Sequence, residues 1–517
     1  MLWNADNLAA GSRARGRALR IDHLWLIIVL AGFSICTALV VTPPNDFWWH
    51  LKVGQLVAER GIPNTNMFAW TLPDDHPYVY ATWLGEWLFY AIYDLFGLPA
   101  VVIARNMLAS AAFALVAVEA RRRSGSWRLA ALVSMLAGAM SINNLIIRTQ
   151  NWSWLPFALY VLILGAYADR QCRTRVLIAL PVIMAFWVNA HGAFVLGLAL
   201  LVIVTGGETL RRLLKQPQAL SWERLRALYL ATAATLAATL LNPSGAGIFG
   251  YVVKLLTDPS SQGLVLEWQP PTTRSIAGFF FFASIIIMLF AFALTRRRPS
   301  LTDLLLVSAF LWLAWSGVRY VVWFGMVAAP VLAQTLSGSR AQASQPVRRQ
   351  PRSPANLVVA LAMAFLVVMV QPPLISSLPL PDEYRKSVAD IPGASAAFTA
   401  TTPVSAAEYL RTHPQAGERL YNEMGYGSYL IWALYPDHKV FIDARVELYP
   451  LDVWEDYIAI NQGQNYNKLL IDKYNVTRVI LDRGIQPKLS EALQQDRQRW
   501  ALEYQDQQSE IYRRNDP

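Results

Sequence analysis

Along most of this sequence, apolar runs alternate with short arginine clusters, and that alternation leaves few folds open. The clusters are Arg121–Arg122–Arg123, "DRQCRTR" at 169–175, "RRLLK" at 211–215 with "ERLR" at 223–226, "RRR" at 296–298 and "RRQPR" at 348–352. Positive charge is held on the cytoplasmic side of a membrane, so placing every cluster inside fixes the crossings. The spans expected are 24–42, 99–120, 128–146, 152–168, 175–190, 192–206, 227–242, 276–295, 301–316, 320–336 and 355–371, about eleven helices. An odd number puts the chain's two ends on opposite faces. The stretch "TWLGEWLFYAIYDLFG" (82–97) is apolar but holds Glu86 and Asp94. Counting it as a span would move Arg121–Arg123 outside, so it is read as a helix lying at the outer interface, where Trp and Tyr are favoured.

Composition supports this reading. Of 517 residues, 55% are hydrophobic and 15% charged, with mean hydropathy +0.30, against about 25% charged in soluble domains. Residues 379–517 carry 20 acidic and 15 basic side chains, a net of −5. The remainder carries 35 − 20 = 15 acids and 45 − 15 = 30 bases, a net of +15. The basic excess is therefore a matter of membrane orientation, not of nucleic-acid binding. The basic stretch "GSRARGRALR" (11–20) before the first run predicts a retained first helix with a cytoplasmic N-terminus. Cys36 and Cys172 fall in a span and a basic loop, and imply no disulfide framework.

The architecture expected is a polytopic α-helical membrane protein with a soluble α/β domain at its C-terminus. The membrane part covers 1–371, with a first outer loop at 43–98, and the outer domain covers 372–517 after the Pro-rich "QPPLISSLPLPDE" (371–383). In the tail, 419–423, 439–445 and 476–482 read as strands, 426–434, 451–460 and 467–474 as helices, and 500–514 as a closing hairpin. A largely parallel sheet is expected.

This topology gathers the polar residues at span ends on one face. They are Asp46 and His50, Glu86, Arg148 and Gln150, Asn189 and His191, Asn242, Glu267 and Arg319. Ionisable groups at membrane depth are costly and usually functional. In "PPNDFWWHLKVGQLV" (43–57), Asp46 and His50 are four residues apart and share a helix face. Asp46 reads either as the N-cap of the helix from 47, or as a carboxylate facing a wet cavity, acting as base or metal ligand, or as both. Glu86, between Trp83 and Trp87, is a second candidate base. "PDDHP" (73–77) reads as a solvated turn rather than a metal cluster. Arg148 and Arg319 oppose the positive-inside bias at outer helix ends, as a pocket for phosphate oxygens would require. Asn242, in "LLNPSG", and Glu267, in "LEWQPP", stand at helix exits toward the same cavity. There is no GxxxxGK[ST], HExxH or CxxC. An ATP-driven transporter or a membrane metalloprotease is therefore not expected.

At this point the chain resembles the integral-membrane glycosyltransferases of the C-type (GT-C) fold, and most of all a broad bacterial membrane-protein group related to oligosaccharyltransferase and protein mannosyltransferase. The stretches that carry the resemblance span most of the chain. They include "DFWWHLKVGQLVAERGIPNTNMFAWT" (46–71), "TWLGEWLFY" (82–90), "RTQNWSWLPFAL" (148–159), "WVNAHGAFVLG" (187–197), "VRYVVWFGMVAAP" (318–330), "YNEMGYGSYLIW" (421–432) and "VFIDARVELYP" (440–450). The resemblance implies a polyprenyl-(di)phosphate-linked sugar donor and a glycan, lipid or protein acceptor at the outer face of a bacterial cytoplasmic membrane. The transfer inverts the anomeric centre. It makes Asp46 base, acceptor ligand or holder of a divalent metal (Mg or Mn), and assigns the leaving phosphate to Arg148, His191 and Arg319. Trp48, Trp49 and Trp83, with His50, Gln150, Asn189, Asn242 and Glu267, would hold the sugar or acceptor. The family's first loop usually pairs two acids; here Asn45 precedes Asp46, and Glu86 must come near in space to complete a pair. Two other classes fit the composition: a transporter or flippase of a lipid-linked or anionic solute, and a non-catalytic membrane scaffold.

Overall fold

The computed structural model describes residues 21–40, 43, 46–337, 354–372, 374–377, 379, 401–415 and 417–515. Its first helices are α1 (Ile21–Ala38), α2 (Phe47–Arg60), α3 (Trp83–Ser124), α4 (Trp127–Met140) and α5 (Asn151–Ala168). Then come α6 (Ala179–Ala190), α7 (Phe194–Leu213), α8 (Trp222–Ala238), α9 (Gly247–Thr257) and α10 (Pro259–Leu264). The helical part closes with α11 (Ile276–Leu294), α12 (Leu301–Ser316), α13 (Val321–Ser337) and α14 (Pro354–Met369).

Each span expected from the sequence has a helix at its place. Among the described residues, five helical segments are long and apolar enough to cross a membrane: α1, α3, α7, α11 and α13 with its lead-in from Val318. α4, α6 with its lead-in from Thr174, α9, α12 and α14 are apolar but shorter. In hydrocarbon a backbone must satisfy its own hydrogen bonds, which is why such runs become helices. Local chemistry sets their ends. Ser300 and Asp303 form a reciprocal capping box that starts α12. Gly97, with φ of 74°, breaks α3 just before Pro99 and turns its first fourteen residues away from the rest. Arg105, fully buried in α3, donates to the carbonyls of Thr37, Val40 and Leu145, tying the end of α1 to the α4–α5 link.

The tail is α/β, with two departures from expectation. Strands β1 (Leu420–Asn422), β2 (Arg478–Asp482), β3 (Trp500–Gln505) and β4 (Ser509–Arg514) form a sheet in the order β1-β2-β4-β3. Only β1–β2 is parallel; β4 pairs antiparallel with both β2 and β3. The sheet is thus mostly antiparallel, because the closing hairpin supplies half of it. The segment 439–445 is not a strand of this sheet. Asn422 takes it by its side chain, accepting from Phe441 N at 2.8 Å and donating to Ile442 O at 2.8 Å. Its backbone pairs with the first loop instead: Val440 N donates to Phe68 O at 2.9 Å and Trp70 N to Val440 O at 3.1 Å. Helices cover 404–412, 424–434, 451–461 and 487–495, with one wide helical turn at 468–473.

The first loop and the tail share one hydrophobic core. Trp48, Leu51, Phe68, Phe89, Tyr429, Phe441 and Trp454 all belong to it. Trp48 stacks edge-on against Tyr429 at 5.3 Å, and Trp70 Nε1 donates to Leu420 O at 3.0 Å. Lys439 pairs with Asp74, the exposed acid of the "PDDHP" turn. This shared core is the roof over the membrane bundle.

Candidate active site

Beneath that roof lies a cavity of about 280 Å³. Its walls come from α2, α3, the links into α5 and α7, α9, the α12–α13 turn and the tail segment 444–447. Two glycines let these elements approach closely. A Cβ on Gly54 would lie 2.2 Å from Glu86 O, and one on Gly85 would lie 2.5 Å from Ala190 O. Only glycine fits at either point, and both contacts position Glu86.

Asp46, Trp49, His50, Glu86, Arg148, Gln150, His191, Glu267 and Arg319 all line this cavity. They come from six separate stretches of sequence. Asp46 precedes α2 but makes no side-chain capping bond. Its carboxylate sits 2.9 Å from Arg148 Nη2 instead. The capping expectation is therefore corrected: a buried guanidinium competes for the carboxylate and holds it. Arg148 is bidentate to Glu267, at 2.5 and 2.7 Å. Burial opposes charge on Arg148, but Asp46 and Glu267 outweigh it and raise its pKa. Burial also opposes ionisation of Glu267, yet Arg148 holds that carboxyl below its usual range.

Glu86 completes no acid pair with Asp46. It is fully buried and accepts at Oε1 from His50 Nδ1 at 2.7 Å and from Thr82 Oγ1 at 2.9 Å. His191, in the α6–α7 turn, accepts from Ala193 N and lies 3.0 Å from Ser153 Oγ. Burial, then the charges of Arg319, His50 and Arg148, hold it well below the ordinary histidine value. Arg319 differs from its neighbours. It lies over the Trp268 ring at 4.4 Å and, among the described residues, makes no ion pair.

Four expected residues lie outside the cavity. Trp48 packs into the roof core against Tyr429 and Trp432. Trp83 Nε1 donates to Asn189 Oδ1 at 2.9 Å, and Asn189 donates onward to Ala185 O and Leu241 O. Asn242 closes its own turn, bonding Thr239 O, Gly245 O and Ser244 N. Trp48 is taken up by ring packing in the roof and Trp83 by the Asn189 side chain, while Asn189 and Asn242 bond backbone groups.

The tail adds residues that the sequence reading missed. Arg445 is buried, bidentate to Asp443 at 2.9 and 2.6 Å, and ringed by Trp49, Phe68 and Tyr78. Its Nη1 is buried with no hydrogen-bond partner among the described residues. Glu447 accepts from Tyr78 Oη at 2.9 Å, and burial raises its pKa. Part of the lining is apolar: Val195, Leu196, Val252, Leu255, Leu256 and Leu313. No cluster of three or more His, Cys, Asp or Glu side chains placed to hold a metal occurs among the described residues. The cation beside Asp46 is Arg148, so this donor set does not fit a divalent ion.

The arrangement of the whole chain matches solved structures. ArnT from Cupriavidus metallidurans, solved bound to undecaprenyl phosphate, superposes with a TM-score of 0.50 at 14% identity, over 95% of this chain and 97% of that one. The arabinofuranosyltransferase AftD from Mycobacteria gives 0.55 at 15% identity, over 96% of this chain and 42% of that larger one. The fold is that of the GT-C membrane glycosyltransferases. The chain is accordingly a multi-pass membrane protein. The oligosaccharyltransferase of Archaeoglobus fulgidus also aligns, at 14% identity and a TM-score of 0.49, over 95% of this chain and 74% of that one. No protein-family model and no curated protein sequence matches the chain.

Proposed function

We propose that this GT-C chain transfers a sugar from a polyprenyl-phosphate-linked donor to an acceptor at the outer face of a bacterial cytoplasmic membrane. One observation carries the reading: a single cavity joins an apolar lining to Arg319, a guanidinium with no ion pair among the described residues, beside the Asp46–Arg148–Glu267 group. A donor that is half lipid and half phosphosugar has that same division. In this reading the isoprenoid lies against Leu196, Val252, Leu256 and Leu313. The phosphate meets Arg319, with His191 and Arg148 beside it, and Arg319 stabilises the charge that develops on the leaving oxygen. Trp49 and Gln150 flank the sugar, and Asp46 holds the acceptor. The tail places Arg445 and Glu447 at the acceptor end. A divalent metal at Asp46 is not used, because Arg148 already meets that carboxylate.

A transporter needs a second opening at the other end of the bundle. There Arg122 and Arg123 clasp Glu119, Arg123 binds Asp303 and Arg211 binds Glu208, all within 2.6 Å. Those bonds brace the helices, but a cavity of about 370 Å³ lined by Arg122, Arg123 and Arg211 lies beside them, so a transporter is the second reading. The test is a strain lacking the protein. A polyprenyl-linked sugar should accumulate in its lipid extract, and the purified protein in nanodiscs should consume that extracted species. No accumulation and no consumption would refute the reading.

A further inference from the structure

The transfer reaction proposed above requires a group to take the acceptor's proton, and Asp46 is poorly placed to do so. Its carboxylate is taken by Arg148 at 2.9 Å, which occupies the oxygen that would have to receive the proton. The cavity holds a better-arranged group. We propose that His50, oriented by Glu86, is the proton acceptor of sugar transfer.

The argument is geometric. Glu86 is fully buried, and its Oε1 takes both the His50 Nδ1 contact at 2.7 Å and the Thr82 hydroxyl at 2.9 Å. A carboxylate at Nδ1 favours the tautomer with its proton there, which leaves the lone pair on Nε2. No described residue hydrogen-bonds Nε2, while His50 lines the cavity. The ring cannot swing away, since Trp49 lies against it at 3.8 Å between centroids. Glu86 is fixed in turn, because Gly54 and Gly85 bring α2 and the end of α6 against its backbone. The other charged or titratable groups around the cavity near His50 are Asp46, Arg148, His191 and Arg445, the last on the far side of Trp49. Two of these are arginines, one is a histidine held neutral and Asp46 is paired with Arg148, so Glu86, in contact at 2.7 Å, is the carboxylate that balances an imidazolium.

In the step itself the acceptor's O–H proton passes to Nε2. The acceptor oxygen bonds to the anomeric carbon as that carbon's bond to the phosphate oxygen breaks. The electron pair leaves with the polyprenyl phosphate, which Arg319 meets. The imidazolium then gives its proton to water. His50 is the catalytic residue in this scheme and Glu86 a positioning residue.

Two measurements test this, and both use the full chain in nanodiscs. Selective ¹⁵N-histidine NMR, with His50 assigned through His50→Gln among the six histidines, should show neutral His50 protonated at Nδ1. Glu86→Gln should shift it toward the other tautomer. An Nε2-protonated ring in the native protein would overturn the proposal, whatever the activity. The second measurement is consumption of the lipid-linked sugar extracted from the strain lacking the protein. His50→Gln should lower the rate by about 10²- to 10⁴-fold, and added imidazole should restore part of the rate of His50→Gly. A wild-type rate that survives His50→Gln would overturn the base and leave the transferase standing. No turnover by the wild-type protein would overturn the transferase, and the base with it.

Discussion

The helix bundle carries buried charge at both of its ends, and the two ends are built differently. At one end, where α3, α5 and α7 finish and α12 starts, Glu119, Arg122, Arg123, Asp303, Glu208 and Arg211 bind one another. The space among Arg123, Glu208 and Asp303 is about 30 Å³, room for about one water, and a polar cavity of about 370 Å³ lined by Arg122, Arg123 and Arg211 lies beside it. At the other end Asp46, Arg148 and Glu267 are also paired, but around a cavity of about 280 Å³, and Arg319 makes no ion pair among the described residues. A closed network clamps helices together. An open one, with a spare cation and an apolar lining, keeps part of its electrostatic energy for a ligand. Mutations at the first end should therefore act on stability, and those at the second on turnover.

The largest effect is expected at the closed end. Arg123→Ala takes the arginine partner from the buried Asp303 and leaves the buried Glu119 to Arg122 alone, and removing one partner of a buried pair costs about 3–5 kcal/mol. Thermal unfolding in nanodiscs should fall sharply, while the surviving folded protein consumes the lipid-linked sugar at the native rate. A stable variant with lost turnover would reverse the assignment of the two ends.

Arg319→Ala should do the opposite. Among the described residues it breaks no ion pair; it loses cation–π contacts with Trp268 and Tyr320, each worth about 0.5–2 kcal/mol. Loss of a donor that stabilises the leaving phosphate should cut turnover by about 10²- to 10³-fold. Equal turnover for this variant and the native protein would remove Arg319 from the phosphate site.

Much of this contrast was legible in the sequence. Arginine clusters against apolar runs fixed where each helix lies, because hydrocarbon admits few alternatives. Asp46, His50, Glu86, Arg148, His191, Glu267 and Arg319 stood out as costly polar residues at span ends. Their partners did not. Whether Glu86 faces Asp46 or His50 depends on helix rotation at the Gly54 and Gly85 contacts, which no local pattern encodes. Asn189 and Asn242 had the same polar signature but are taken up by backbone carbonyls. Arg445 and Glu447 were hidden because 439–445 alternates like a strand, while its true partner, Phe68–Trp70, lies some 370 residues earlier.

Asp46→Asn sharpens the open end further. The side chain makes no capping bond, and asparagine caps about as well as aspartate, so helix stability should hold. It should weaken a charge-assisted contact to the acceptor by about 1.5–3 kcal/mol, roughly a ten- to hundred-fold loss of turnover. That is smaller than the loss expected for His50→Gln. A reversed order would return the base to Asp46.

Acid should also separate the ends. His191 and Glu267 have folded pKa values below their ordinary ones. Each contributes stability that is complete above its unfolded pKa and is lost as pH falls toward the folded value. For His191 that loss begins near its ordinary value of 6.5; for Glu267 it begins near 4.5. Hydrogen exchange followed from pH 7.5 to 5 should therefore show the His191–Phe194 turn loosening first. A turn equally protected at both pH values would contradict a neutral, desolvated His191.

The smallest effect concerns the roof that keeps the open end open. Trp70 Nε1 donates to Leu420 O at 3.0 Å, and the adjoining backbone ties Phe68 and Trp70 to Val440. Trp70→Phe retains an aromatic ring against Phe441 and Tyr474 but loses that donor. A typical hydrogen bond contributes about 0.5–1.5 kcal/mol, so the amides of Trp70 and Val440 should exchange about tenfold faster. The amides around Arg123 should not change, because among the described residues that network's ion pairs lie within the helix bundle. If both ends responded alike, the bundle would be one cooperative unit, and the division between a clamped end and a working end would fail. If only the roof responded, the first loop and tail would form a separately opening unit above the cavity. That is what a site needs if it is to admit an acceptor from one side while holding a lipid from the other.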